Sequence, residues 1–404
     1  MRNVVFAAPF PLPTTMRFAL AAARLPGVRL LGLFAEAPST DDARLFADVV
    51  RLKDGLDTRQ LIDGARLLER RHGKLHRVLG ILETLQVQLG AVRHALGVPG
   101  PGPETAARFR DKSRMKDELR RHGLPCARHR LCASAADAHA FAAEVGFPLV
   151  VKPPAGMGCK ATWRIGDARE LDAAMRALHA SPSRPALAEE FLRGEEHSFE
   201  TITVGGEVRF ASVSNYHPAP LEVMEQDWIQ WVVILPREQD GPGHVEAHAL
   251  AVRTVQALGL ETGFTHMEWF RRDDGRLAIG EIAARPPGAN LVTANGYAHN
   301  ADMHRAWARA VVDDAFDGPF ERRYAVGIAF LRGAGKGRIA RVTGVAQANE
   351  SVGHLVVESR LPRPGEPRSS SYEGNGYVIV RHPETRVVEA AMKTVIETIR
   401  VEHG

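Results

Sequence analysis

The stretch HMEWFRRDDGRLAIGEIAARPPG, residues 266–288, carries the clearest structural signal of the sequence. Apolar and polar residues alternate on both sides of the DDG sequence at 273–275, and a two-residue Asp-Gly turn of type I′ predicts a β-hairpin. This turn places Glu268 directly opposite Glu281. Facing carboxylates repel each other unless a cation lies between them, and Mg2+ prefers such oxygen ligands. The hairpin therefore predicts a magnesium site completed by nucleotide phosphates, with a solvated acidic sheet face as the alternative.

A second signal is FPLVVKPPAGMGCK, residues 147–160, in which Lys152 ends an apolar strand. A lysine in that position is costly to bury unless it has an anionic partner. The glycines that follow leave backbone N–H groups free to approach phosphate oxygens. The segment predicts a phosphate cradle that is not a Walker P-loop, because GxxxxGK[ST] is absent. An ordinary surface loop is the alternative.

A third signal is AEEFLRGEEHSFE, residues 188–200, where an apolar strand ends in acidic residues and then turns at Gly194. Backbone groups at such a strand end can contact the edge of an adenine ring, and a carboxylate there can bind ribose hydroxyls. Glu189 and Glu190 point to opposite faces of the strand, so at most one of them is expected to point into a pocket. Alone, the segment is only a charged turn.

The residues before position 97 show the strand and helix rhythm of a doubly wound βαβ domain. Apolar strands are predicted at 3–7, 29–34 and 76–81, with an amphipathic helix at 15–24. A dinucleotide-binding Rossmann fold is disfavoured, because the turn after the first strand lacks GxGxxG. The GVPGPGP segment at 97–103 predicts a domain boundary.

Beyond this boundary the patterns predict mixed helices and strands. A single helix is predicted over residues 103–123, followed by a compact α+β unit that ends with a strand at 186–191. β-branched and aromatic residues flank Gly205-Gly206 and predict a second hairpin there. Several strand-like runs and a final helix at 385–401 are predicted after residue 321.

Composition places the chain among ordinary globular proteins. It has 404 residues, 45% of them hydrophobic and 25% charged, with a formal net charge of +4. That charge is too small and dispersed for a nucleic-acid-binding surface, and no apolar run is long enough to span a membrane. Three cysteines without a CxxC pair support neither a disulfide framework nor a zinc site. We therefore expect a cytoplasmic protein with no nucleic-acid or membrane partner.

Four motifs together resemble the ATP-grasp superfamily of carboxylate-amine ligases, and most closely its amino-acid and dipeptide ligase branch. They occur in the family's order at residues 110–128, 147–160, 188–200 and 263–288. The resemblance implies an α/β and α+β chain with an ATP-grasp fold. It comprises an N-terminal doubly wound βαβ domain, a linker helix with a lid subdomain, a catalytic core with a central antiparallel sheet, and a C-terminal accessory domain. The implied boundaries are 1–102, 103–190, 191–320 and 321–404.

The resemblance also implies roles for individual residues. Arg285 and Lys152 would be catalytic and lie near the transferred phosphoryl group. Glu268 and Glu281 would bind the metal, in accord with the hairpin argument. The nucleotide-binding residues would be Lys112, Lys152, Gly156, Gly158, Lys160, Glu189, Glu190, Phe191, Leu192 and Glu196.

Within this set, backbone groups of Glu190 and Leu192 would read the purine edge, and the carboxylate of Glu196 would bind ribose. One position departs from the family pattern, because Ala283 stands where many members have an asparagine that binds metal. Either the metals take another oxygen, from Asn290 or from water, or one metal site is weakened.

Three further residues have less specific signals. Glu83, just after the last predicted N-terminal strand, is a candidate for substrate binding. His266 would share a strand face with Glu268 and could contact substrate, although a hydrogen-bonded structural histidine is the favoured interpretation. The implied chemistry needs no protein nucleophile, so Cys159 is interpreted as a small filler.

The reaction implied by the resemblance is ATP-dependent amide-bond formation, in which a carboxylate is phosphorylated and an amine then displaces the phosphate. ATP and two Mg2+ ions, replaceable by Mn2+, are the implied cofactors. Amino acids or small peptides are the implied substrates, and a homodimer is the implied assembly. Two alternatives stay open: a phosphotransferase on the same fold that needs no amine, and a nucleotide-binding regulatory protein without turnover.

Overall fold

The computed structural model describes residues 1–226, 228–239 and 241–404. Its N-terminal part is a parallel four-stranded sheet in the order β3-β2-β1-β4. The elements are β1 (Arg2–Ala7), α1 (Pro13–Ala23), β2 (Val28–Phe34), α2 (Thr40–Ala43), β3 (Asp48–Arg51), α3 (Thr58–His72), β4 (Leu75–Leu79) and α4 (Gln86–Leu96). Strand β3 and helix α3 are additional to the predicted elements. The strand predicted at 76–81, third in the predicted order, is therefore β4.

Side chains alternate across this sheet, and each face packs on its own core. Val4 and Phe6 belong to a cluster that includes Trp307, from a helix far along the chain. Val5 and Ala7 belong to a second cluster on the opposite face, formed with α3 and α4. Burial on both faces is the expected state of a parallel sheet, and it agrees with the predicted doubly wound domain.

A linker and a small α+β unit follow. The elements are α5 (Pro103–Arg110), α6 (Lys112–Arg121), β5 (His129–Cys132), α7 (Ala135–Val145), β6 (Leu149–Lys152), β7 (Trp163–Ile165), α8 (Ala168–Ala177) and β8 (Ala186–Glu190). The four strands form an antiparallel sheet in the order β5-β8-β6-β7.

The prediction of one helix over 103–123 is wrong, because the chain breaks at Asp111. This residue has extended backbone angles, and its carboxylate accepts hydrogen bonds from the N–H groups of Ser113 and Arg114. Aspartate is a favoured N-cap because its side chain satisfies N–H groups that the first helical turn leaves unpaired. The cap makes Lys112 the first residue of a new helix, α6.

The remaining chain builds an antiparallel eight-stranded sheet in the order β13-β12-β9-β10-β11-β14-β18-β17. The same part of the chain also forms a small three-stranded sheet in the order β15-β19-β16. The elements are β9 (Gly194–Val204), β10 (Glu207–His217), α9 (Pro220–Glu225), β11 (Trp231–Leu235), α10 (Pro242–Leu258), β12 (Gly263–Arg272), β13 (Leu277–Ala283), α11 (Leu291–His299), α12 (Met303–Asp313), β14 (Ala325–Leu331), β15 (Gly333–Ala334), β16 (Ile339–Thr343), α13 (Val345–Val352), β17 (Val356–Arg360), β18 (Gly376–His382), α14 (Thr385–Thr398) and β19 (Arg400–His403).

The hairpin of β12 and β13 has the predicted pairing but not the predicted turn. The Arg272 N–H donates to the Arg276 carbonyl at 2.9 Å, so the loop has three residues rather than two. A β-bulge at Gly280 then shifts the register by one residue. The two offsets cancel, and Glu268 does pair with Glu281.

The eight-stranded sheet crosses the predicted boundary between residues 320 and 321. Strand β11, from the predicted catalytic core, pairs with β14, from the predicted accessory domain, over five residues from Trp231 to Leu235. The division into four domains stays a prediction, although the sheet is continuous at this point. Among the described residues, no helix is both long and apolar enough to cross a bilayer.

Candidate active site

One large cavity, of about 770 Å3, lies where the N-terminal part of the chain, the small α+β unit and the eight-stranded sheet meet. Side chains from widely separated stretches converge there, including every residue to which the sequence assigned a role. They are Lys112, Lys152, Gly156, Gly158, Lys160, Glu189, Glu190, Phe191, Leu192, Glu196, Glu268, Glu281 and Arg285. Their individual roles stay predictions.

Glu268 on β12 and Glu281 on β13 are cross-strand partners inside this cavity. Burial and the negative charge of Glu281 raise the pKa of Glu268 to about 7. Burial would also raise the pKa of Glu281, but Lys112 and Lys152 more than offset it and lower that pKa to about 2. Two carboxylates held this close favour a bound cation, and their oxygen atoms fit Mg2+.

The carboxylate pair would supply only part of a magnesium coordination shell. Among the described residues, no three or more His, Cys, Asp or Glu side chains are grouped to hold an ion by themselves. Magnesium commonly retains waters and binds substrate phosphates, so an incomplete protein shell is compatible with it. Ala283 is buried opposite His266 and supplies no side-chain oxygen. Asn290 lines the same cavity at the start of α11, and its role as a ligand stays a prediction.

Lys112 at the start of α6 and Lys152 at the end of β6 approach the carboxylates. The Nζ atoms of Lys112 and Lys152 lie 3.3 and 3.9 Å from Oε2 of Glu281. Lys152 Nζ also lies 2.9 Å from Oε2 of Glu189. Burial acts to lower the pKa of Lys152, but Glu189 and Glu281 more than compensate and hold it above its ordinary value. Lys152 therefore stays charged, as a phosphate anchor must.

Lys116, to which the sequence analysis gave no role, lies beneath this group. Its side chain is 0% exposed, and its Nζ lies 3.2 Å from Oε1 of Glu189. It also donates to the carbonyl of Gly280, the bulge residue of the hairpin. Lys116 thus joins the linker helix to the hairpin and shares the carboxylate of Glu189 with Lys152.

Replacing Lys116 with methionine is expected to lower the free energy of unfolding by about 3 kcal/mol or more, because loss of one partner leaves a buried carboxylate undercompensated. Urea unfolding followed by circular dichroism measures the change. Lys74→Met, at an exposed position, is the matched control. A Lys116→Met protein as stable as this control would contradict the structural role of Lys116.

The loop between β6 and β7 occupies the place of the predicted lid. Gly158 has a φ of +61°, and Cys159 has a φ of +56°, a conformation that side chains other than glycine seldom adopt. Lys112 Nζ donates to the carbonyl of Gly156 at 3.1 Å. Burial raises the pKa of the Cys159 thiol, which agrees with its interpretation as a filler. Lys160 is exposed at the end of the loop.

The strand end at β8 separates its two glutamates as the sequence predicts. Glu189 is buried against the lysines, whereas the Glu190 carboxylate accepts a hydrogen bond from Arg128 Nε at 2.7 Å. The Glu190 N–H donates to the Arg128 carbonyl at 2.9 Å and is therefore not free for a purine edge, so contact between the backbone of Glu190 and a purine stays a prediction. Phe191 and Leu192 line the cavity beside it and provide an apolar wall.

Glu196 owes its position to a close contact at the start of β9. Gly194 has a φ of +138°, and a Cβ atom there would lie 2.0 Å from the Arg271 carbonyl oxygen. Only glycine permits this approach of the two strands. Glu196 then shares a sheet face with Glu268. Burial, followed by the charges of Glu268 and Glu281, raises the pKa of Glu196.

Arg285 follows β13 and is held by a residue from the N-terminal domain. Its Nε and Nη2 atoms donate to Oε2 of Glu83 at 3.1 and 2.8 Å. Arg110, at the end of α5, donates to the other oxygen of Glu83. From the sequence, Glu83 was predicted only as a candidate substrate contact, and Arg110 had no predicted role. Because Glu83 and Arg285 are 202 positions apart, no local pattern could connect them.

His266 has the hydrogen-bonded environment that the sequence analysis favoured. Its Nδ1 atom lies 2.9 Å from Oε1 of Glu200, a fully buried carboxylate that also accepts a hydrogen bond from Ser198. Its Nε2 atom lies 3.8 Å from Oε1 of Glu268. The imidazole ring is therefore fixed by the sheet while it lines the cavity.

The chain is similar to known proteins in sequence and in fold. Residues 117–300 match the family model described as the ATP-grasp domain. The crystal structure of an L-amino acid ligase from Bacillus licheniformis superposes with a TM-score of 0.82 at 20% identity, covering 100% of this chain and 99% of that one. N5-carboxyaminoimidazole ribonucleotide synthetase from Thermotoga maritima gives 0.72 at 17% identity over 100% of both chains. These similarities confirm the predicted ATP-grasp fold.

Among curated proteins, the L-arginine-specific L-amino acid ligase of Bacillus subtilis is 29% identical over 252 residues. The matched region is 61% of this chain and 60% of that relative, which is less than two thirds of its length. The similarity supports a relationship in sequence as well as in fold. It leaves the substrates of this chain to be inferred from its own site.

Proposed function

We infer that this chain belongs to the ATP-grasp family, whose domain model matches residues 117–300, and we propose that it joins a carboxylate to an amine. The observation that carries the proposal is the convergence of Glu268 and Glu281 with Lys112, Lys152 and Arg285 on one cavity. This set offers oxygen ligands for a metal and three cations for phosphate oxygens. Such an arrangement suits phosphoryl transfer, in which positioning and charge neutralisation are the main requirements.

The proposed first step transfers the γ-phosphoryl group of ATP to the substrate carboxylate. A bond forms between a carboxylate oxygen and phosphorus, the bond to the bridging oxygen breaks, and ADP leaves. Lys112 and Lys152 would bind phosphate oxygens, and Arg285 would offset charge on the transferred group. When bound at Glu268 and Glu281, Mg2+ would neutralise charge on the phosphates.

The proposed second step forms the amide. The amine nitrogen attacks the acyl carbon, phosphate leaves with the electron pair of the broken carbon–oxygen bond, and the amine proton passes to solvent. No protein nucleophile is needed, which agrees with the raised pKa of the half-buried Cys159 thiol.

Amino acids or small peptides are the proposed substrates. The support is the similarity to two proteins named as L-amino acid ligases, one in sequence and one in structure. The cavity also extends beyond the nucleotide residues to Thr14 and Thr15 of α1, to Tyr216 and to Tyr372. That extension offers room for two small substrates next to Arg285. We further propose a homodimer located in the cytoplasm.

Phosphate release from Mg-ATP, measured over a matrix of amino acids singly and in pairs, tests this function. We expect release that requires two amino acids, with a product whose mass equals their sum minus water. ADP formation with a single acceptor, without phosphate release and with a phosphorylated product, would instead indicate a phosphotransferase. No release from any pair, by a protein whose melting temperature rises with Mg-ATP, would contradict amino-acid ligation.

A further inference from the structure

Glu83 connects three parts of the molecule that belong to different stretches of sequence. It opens a short 3-10 turn after β4 in the N-terminal domain, and it is 7% exposed. Its two carboxylate oxygens have different partners: Oε2 accepts from Arg285, and Oε1 accepts from Arg110 at 3.2 Å. A buried carboxylate between two arginines is fully compensated, and charge-assisted hydrogen bonds of this kind are strong and directional.

On the Arg285 side, these bonds fix the plane of the guanidinium group. Nε and Nη2 both donate to the same Glu83 oxygen, and Nη1 donates to the Pro286 carbonyl at 2.9 Å. An arginine has five N–H donors in a planar fork. Three of them are used by the protein, and the remaining two lie in a plane that Glu83 and Pro286 have set. Arg285 lines the cavity in that orientation.

On the other side of Glu83, Arg110 donates hydrogen bonds to the loop between β6 and β7. Its Nη1 atom donates to the Gly156 carbonyl at 3.0 Å as well as to Glu83, and its Nη2 atom donates to the Ala155 carbonyl. These carbonyls belong to the loop between β6 and β7, which is the proposed lid over the phosphates. Any movement of the loop that displaces Ala155 and Gly156 must therefore reorient Arg110, and with it one of the two oxygens of Glu83.

We propose that Glu83 is a positioning residue that couples the lid loop to Arg285. The carboxylate is one rigid plane, so the orientation that suits Arg110 also sets the orientation of the Arg285 guanidinium. Lid closure over a nucleotide is thereby linked to correct placement of the arginine. The inference rests on the proposed function for the role of Arg285 in turnover, but the link between Arg285 and the lid can be measured without turnover.

The test measures trypsin cleavage in the lid, at Lys160 or Arg164, with and without Mg-ADP. We expect Mg-ADP to protect the lid of the wild-type protein, and E83Q to reduce this protection by about tenfold, the value of one charge-assisted hydrogen bond. R285Q has no direct contact with the loop among the described residues, yet it should change lid cleavage about threefold. Added to E83Q, R285Q should change it no further, because the connecting carboxylate is already lost.

Turnover provides the second readout. In a wild-type protein that releases phosphate, E83Q is expected to lower kcat by about tenfold or more, with a raised KM for the carboxylate substrate, because Arg285 loses its fixed plane. R110Q should alter lid protection and also raise the KM for the carboxylate by about threefold, less than E83Q does, because Glu83 keeps Arg285 but loses the partner that fixes its plane. E104Q is the matched control, since Glu104 is an exposed carboxylate, 83% accessible, paired loosely with Arg114.

Two results would overturn the coupling. One is an E83Q protein with a wild-type melting temperature whose lid protection stays within about twofold of wild type. The other is an R285Q effect on the lid that persists unchanged in the E83Q background. If E83Q does not fold, R285Q alone decides, because an unchanged lid in that variant contradicts the coupling. A wild-type protein without any ligase activity would refute the proposed function and still leave the lid measurements valid.

Discussion

Glu281→Gln is expected to lower kcat by about a thousandfold or more while the protein stays folded. The amide keeps the shape of the side chain but removes a negative charge opposite Glu268. A metal bound to the pair would stabilise the transferred phosphoryl group by several kcal/mol, and a loss of about 4 kcal/mol corresponds to a thousandfold in rate. Phosphate release under saturating substrates measures kcat, and Mn2+ titration followed by electron paramagnetic resonance measures metal affinity.

The fold should tolerate this change because the lost charge of Glu281 makes one favourable and one unfavourable interaction, whose effects on the free energy of unfolding oppose each other. Glu281 attracts Lys112, at 3.3 Å, and repels Glu268, whose pKa it raises. Glu195→Gln is a matched control, since Glu195 lies at an exposed position of the same sheet. A folded Glu281→Gln protein with wild-type phosphate release and wild-type Mn2+ affinity would refute the assignment of this pair as metal ligands.

Lys152→Met is expected to reduce kcat/KM for ATP by about a hundredfold to a thousandfold, comparable with loss of one preorganised donor in other active sites. Methionine preserves the length and the apolar stem of the side chain but cannot bind a phosphate oxygen. Glu189 would lose its contact with Lys152 at 2.9 Å and keep Lys116. Isothermal titration with Mg-ATP and with Mg-ADP separates the loss of nucleotide binding from the loss of turnover.

Lys393→Met, at an exposed position on α14, is the control for this charge removal. A Lys152→Met protein that binds Mg-ATP as tightly as this control would show that Lys152 is only a structural counter-ion of Glu189. Destabilisation of Lys152→Met without any change in nucleotide affinity would lead to the same conclusion.

The sequence permits prediction of those parts of the site that reside in short continuous stretches. The hairpin could be recognised because strand alternation and a glycine-containing turn act over neighbouring residues. The predicted pairing of Glu268 with Glu281 is correct only because the bulge at Gly280 offsets the error in the predicted length of the turn. Lys152 could be recognised because a lysine that ends an apolar strand needs a partner. The fold followed from the order of such stretches and is confirmed by the structural similarities.

What the sequence could not provide are contacts made at long range. Lys116 reads as one more surface residue of a charged helix, and only the fold shows that its ammonium group is buried beneath Gly280. Arg110 and Glu83 are likewise ordinary charged residues until three segments meet around them. The missed break at Asp111 has a different cause, since a capping aspartate inside a long helical pattern is a weak local signal against the strong pattern around it.

The bulge at Gly280 decides which side of the sheet carries the second carboxylate of the pair. Beyond the three-residue loop, Trp269 pairs with Ile279, Gly280 has no partner, and Glu281 pairs with Glu268. Because side chains alternate with every residue, a regular ladder without the bulge would pair Glu281 with Met267 and turn its carboxylate to the opposite face of the sheet. One unpaired residue thus places both acidic groups on the same side of the hairpin.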